Sequence, residues 1–132
     1  MAARLLSSKE LIVLSPDGRL DLDASEAALE QLLLSLENDP AKAVVFDLRG
    51  ADCTLSVVEI YGVVDFLSRY GSKRTLYGKI AVLLDAEASQ RKAAFFALCA
   101  RNRGFEAKAF NAVEDIGAWL GVDASDLLRP AC

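Results

Sequence analysis

The chain contains no histidine among its 132 residues. That absence removes the side chain most often used near neutral pH as a general base and as a transition-metal ligand, and with it most familiar hydrolase arrangements. Cysteine is scarce: Cys53, Cys99 and Cys132 are odd in number and lack C-x-x-C spacing, so neither a disulfide framework nor a zinc site is expected. They read as free thiols in a reducing compartment. No apolar run approaches the roughly 20 residues that cross a bilayer. The opening MAARLLSSKE lacks the hydrophobic centre and cleavage site of a secretion signal. A cytoplasmic protein without an integral membrane segment is the expectation. Positive charge is in deficit, with 15 Lys and Arg against 19 Asp and Glu. General nucleic-acid binders carry an excess of cations to displace phosphate counterions, so no nucleic-acid partner is expected. With no phosphate loop, triad or metal cluster in the sequence, no cofactor, metal or catalytic residue is assigned.

What is present describes an ordered domain. Hydrophobic residues make up 53% and charged residues 26% of the chain, and a chain of this length buries roughly 65–70% of its unfolded surface. Residues 1–132 read as one domain with its core at about 11–122, flanked by peripheral residues 1–9 and 123–132. LIVL at 11–14 and RLDL at 19–22, separated by Ser15-Pro16-Asp17-Gly18, predict an N-terminal hairpin. Asp23 and Glu26 have capping-box spacing before an apolar helical face at Leu29, Leu32, Leu33 and Leu36, which predicts a helix over 24–38. AVVFDL at 43–48 has the near-continuous apolarity of a strand covered on both faces. Val57, Ile60, Tyr61, Val64 and Leu67 follow helical spacing after a Ser56/Glu59 capping box. IAVLL at 80–84 predicts a second buried strand, and 87–103 a helix stopped by Gly104. FEAKAF at 105–110 predicts a more exposed strand. A last helix is capped by Asn111 and Glu114, with Trp119 beside its inner face. The order implies an α/β domain: a mixed β-sheet with an N-terminal hairpin, then strand and helix alternation, covered by about four helices.

This order, together with LIVLSPDGRLDLDASEAALEQLL and VVFDLRGADCTLS, resembles the STAS domains and especially the SpoIIAA-like, anti-sigma-factor-antagonist branch. Gly18-Arg19-Leu20-Asp21 is similar to that family's strand-two signature. GKIAVLLDAEASQRKAAFFALCARNRGFEAKAFNAVEDIGAWLG resembles SpoIIAA-like proteins of unassigned activity. The resemblance covers about residues 11–121. It implies a regulatory module that binds proteins, and in antagonists of the partner-switching type a phosphorylatable Asp-Ser-Ser-Gly loop at a helix start. Here the corresponding loop reads Cys53-Thr54-Leu55-Ser56-Val57-Val58, so the motif's Asp, second Ser and Gly are replaced. Ser56 sits nearest to the modified position, but phosphorylation and sigma-factor regulation do not carry over.

Four constellations merit a structural test. Arg49, Thr54 and Ser56 lie in a loop whose helix-start N–H groups suit an anion, although capping alone accounts for Ser56 and Glu59. Asp47, Asp52, Asp85 and Glu87 fall at or after strand ends, where open α/β sheets bind ligands; Asp85 joins the ligand-binding candidates. Val63, Phe66 and Tyr70 form a second apolar line on the helix, with Gly62 allowing close approach, and are candidates for a homodimer or protein-partner interface. Lys73, Arg74 and Lys79, with Tyr70 and Tyr77, read as a solvated basic linker. The favoured function is a non-enzymatic regulatory or interaction module binding a protein partner or a small anionic or apolar ligand. A small enzyme using strand-end carboxylates, or a lipid or apolar-ligand carrier, is the alternative.

Overall fold

A computed structural model describes residues 3–7, 11–38, 43–70, 79–84 and 87–121. Its elements run β1 (Ala3–Ser7), β2 (Leu11–Pro16), β3 (Gly18–Leu20), α1 (Leu22–Asn38), β4 (Ala43–Asp47), β5 (Ala51–Cys53), α2 (Val57–Tyr70), β6 (Lys79–Leu83), α3 (Glu87–Asn102), β7 (Glu106–Phe110) and α4 (Val113–Leu120). Five strands form one sheet in the order β1-β2-β4-β6-β7, and β3 with β5 forms a separate two-stranded sheet. Only β1 runs antiparallel in the main sheet; β2, β4, β6 and β7 are parallel neighbours. The expected mixed α/β architecture with four helices is therefore present.

The strand order decides where the helices lie. From β2 to β7 the chain advances across the sheet in one direction, and crossovers between parallel strands share one hand, so their helices land on the same face. Accordingly Ile12, Leu14, Val44, Phe46, Ile80 and Val82 point into a core closed by Leu32 and Leu36 of α1, Ile60 and Leu67 of α2, and Ala97 of α3. The alternate strand residues Leu11, Val13, Val45, Ala81 and Leu83 face the other way, where Ile116 of α4 covers them with Trp119 at the margin.

Several local expectations differ from the structure. The N-terminal hairpin pairs β1 with β2, so Ala3–Ser7, within the segment expected to be peripheral, forms an edge strand of the main sheet. With β1 on one edge and β4 on the other, β2 has no free edge for Gly18–Leu20, which pairs instead with Ala51–Cys53. Helix α1 starts at Leu22, two residues early, because Asp21 caps it: its carboxylate accepts the Ala24 N–H at 2.9 Å. On α2 the buried stripe is Ile60, Val63, Val64 and Leu67, whereas Val57 and Tyr61 are exposed. A helix apolar on two adjacent faces satisfies either phase by periodicity, and only its seat against α1 and α3 selects one. The α4 N-cap is Ala112, with no side-chain cap, so Asn111 does not play that part.

The end of α3 is as expected. Gly104 takes φ +93°, and the Phe105 N–H bonds the Ala100 carbonyl while the Gly104 N–H bonds that of Arg101. This Schellman closure satisfies two terminal carbonyls and brings Phe105 against the core.

Candidate functional site

At the C-terminal edge of the parallel strands, the chain leaves β4, forms β5 and enters α2. Asp47 ends β4 and is nearly buried. Arg49 turns back onto it in a bidentate pair, Nε to Oδ1 and Nη2 to Oδ2, each at 2.8 Å, and the Arg49 amide also donates to Oδ1 at 3.2 Å. Fork-on-carboxylate geometry of this kind is the strong form of the charged hydrogen bond. It uses both Asp47 oxygens to fix the turn.

The following residues are pinned as well. Leu20 accepts the Thr54 amide at 3.1 Å and the Thr54 hydroxyl at 3.4 Å, extending the β3–β5 pairing by one step. Leu55 is buried. Ser56 and Glu59 form the expected capping box: the Ser56 amide donates to the Glu59 carboxylate at 2.9 Å, and the Ser56 hydroxyl accepts the Glu59 amide at 3.2 Å. Thr54 and Ser56 remain exposed while holding the loop. Arg49, Thr54 and Ser56 thus share one segment, each with a structural partner. Asp85 lies outside the described residues, as do Lys73, Arg74, Tyr77 and Cys132.

The head of α2 presents an apolar surface. Val57 is 58%, Val58 80% and Tyr61 54% exposed. Residues separated by three or four positions share a helix face, so these three form one patch. Its border is charged. Arg103 from the end of α3 donates to the Tyr61 hydroxyl at 3.1 Å and to Asp65 at 3.2 Å, with its guanidinium 5.4 Å from the Tyr61 ring centre. The Tyr61 hydroxyl and then the Asp65 carboxylate raise the Arg103 pKa above its ordinary value. Arg69 pairs with the other Asp65 oxygen at 3.1 Å.

The second line on α2 is divided by the fold. Val63 is only 6% exposed and belongs to the core, Phe66 is half-buried against it, and Tyr70 is exposed with its ring 4.8 Å from that of Phe66. Outside its own helix backbone, no described residue comes within 4 Å of a Cβ placed on Gly62. Lys79 belongs to packing: its ammonium donates to the Trp119 carbonyl at 2.9 Å and sits 5.0 Å from that ring.

Beneath this loop is a feature the sequence did not announce, an apolar cavity of about 80 Å³ between the sheet and helices α1, α2 and α3. Cys53 and Leu55 contribute from the loop, and Lys92 of α3 is the one charged residue in its lining among the described residues. The Lys92 ammonium donates to the Cys53 carbonyl at 3.2 Å. Among the described residues, no group of three or more Cys, Asp or Glu is placed to hold a metal ion.

No protein-family model and no curated protein matches the sequence. Solved structures do. An uncharacterised protein with a SpoIIAA-like fold from Shewanella loihica PV-4 is similar at a TM-score of 0.59 and 17% identity, over 90% of this chain and 92% of that one. The present chain has the SpoIIAA-like fold. An anti-sigma factor antagonist from Mycobacterium paratuberculosis is similar at a TM-score of 0.59 and 20% identity, covering 91% of this chain and 93% of its own. The anti-sigma factor antagonist SpoIIAA in its unphosphorylated form gives 0.51 and 17%, covering 92% and 100%. Among the described residues no helix is long and apolar enough to cross a membrane.

Proposed function

We propose that this SpoIIAA-like domain is a non-enzymatic regulatory module that docks a protein partner through the head of α2. The observation that carries the reading is the contiguous exposure of Val57, Val58 and Tyr61, bordered by Asp65, Arg69 and Arg103. An apolar centre with a charged rim is the anatomy of a protein–protein interface. Two structurally similar proteins are named as anti-sigma factor antagonists, a name that describes action on another protein, which supports the same class of role. Acid–base catalysis by Asp47 is less well supported, because both of its carboxylate oxygens are taken by Arg49.

The test is affinity purification from cells of the source organism with wild type, Val58→Asp and a control, Leu34→Asp, at an exposed position on α1. A protein retained by wild type and the control but lost with Val58→Asp supports the reading. Equal retention by all three removes the α2 head as the docking face. Light scattering on the purified chain distinguishes a second copy as the partner, including one docked through Phe66 and Tyr70: a dimeric mass reduced by Tyr70→Asp and unaffected by Val58→Asp assigns the interface to that end of the helix.

A further inference from the structure

We infer that the cavity beneath loop 49–56 binds a small amphiphilic carboxylate, with a short alkyl or aryl tail among the core side chains and its acid group on Lys92. The tail's surroundings are set by Leu14, Phe46, Leu55, Ile60, Val82 and Phe96, which line the cavity from the sheet, the loop and two helices. Every buried side-chain nitrogen and oxygen among the described residues already has a hydrogen-bond partner, so no unsatisfied side chain in the cavity asks for a water. A dry apolar cavity of about 150 Å³ takes up benzene. One of about 80 Å³ suits a short chain or small branched group and excludes the full length of a long acyl chain.

Lys92 supplies the other half of the recognition. An ammonium has three donors, and the Cys53 carbonyl takes one at 3.2 Å. No carboxylate among the described residues pairs with it. A half-buried cation bordering an apolar cavity gains more from an anion than the same cation in open water, because the local dielectric is lower. An apolar lining with Lys92 as its one cation among the described residues therefore selects one ligand chemistry, a hydrophobic tail with a negative head. The inference is independent of the docking surface, whose residues Val57, Val58 and Tyr61 do not line the cavity.

The experiment is an amide chemical-shift titration of the full chain with hexanoate, with hexanol and acetate as the single-feature controls. Hexanoate is expected to move the amides of Leu55–Val64 and Lys92–Phe96 at millimolar concentration, and acetate to leave them in place. Lys92→Met, at a half-buried site, is expected to weaken hexanoate about tenfold, the scale of a lost charge-assisted hydrogen bond, while leaving hexanol unchanged. Ala93→Leu, which adds carbons at the cavity wall, is expected to weaken both. Amides unmoved by hexanoate, or hexanoate affinity unchanged in Lys92→Met or in Ala93→Leu, overturns the assignment.

Discussion

The two faces of the sheet are built from the same strands but are covered differently. The face under α4 is small: Ile116 is the one buried residue of that helix, Trp119 is held by Lys79 and by Phe110 at a ring separation of 5.4 Å, and Trp119, Phe110, Lys108 and Arg91 line an open, partly polar groove beside it. The face under α1, α2 and α3 is larger, contains the 80 Å³ cavity, and continues outward into the exposed head of α2. The larger face combines stability with surface and space left over from packing, which is where recognition can be accommodated without rebuilding the core.

The comparison can be broken from the core outward. Leu67 is fully buried where α2 meets the larger core, so Leu67→Ala is expected to cost about 3–5 kcal/mol in urea unfolding, as large-to-small core changes do. Ile116→Ala is expected to cost somewhat less, about 2–4 kcal/mol. Hydrogen exchange should then rise first in Val113–Leu120, because α4 hangs on that one buried side chain; a uniform rise across the chain would show that the two faces unfold as one unit. Ser56→Ala removes one arm of the capping box and is expected to lower stability by about 1 kcal/mol. The smallest expected effect on folding is that of Val58→Asp, within about 0.5 kcal/mol, since the side chain is 80% exposed. That variant separates stability from docking.

The fold was legible wherever local pattern and tertiary demand coincide. AVVFD and KIAVL are buried on both faces and read as central strands; Ser56 with Glu59 and Gly104 mark helix ends through hydrogen bonds made within a few residues. Legibility failed where two solutions are locally equivalent. The apolar residues of α2 permit two rotations, and the observed one turns Val63 inward and Val57 and Tyr61 outward. Gly18–Leu20 has strand character, but its partner is fixed by which edges of β2 are already occupied. At the site, the capping box is visible in sequence, and Asp47 and Arg49 stand out there individually but not as a pair. Two residues apart across a strand end, they meet only because the chain turns there. The cavity depends on side chains from positions 14 to 96 and has no sequence signature.

The docking face proposed for this chain is the head of α2. The most direct measurement places a photo-crosslinking side chain at position 58, with position 34 on α1 as the comparison, and illuminates cells of the source organism. A docking face there gives a discrete heavier adduct from position 58 and none from position 34. An unmodified band at position 58, or the same adducts from both positions, would contradict it.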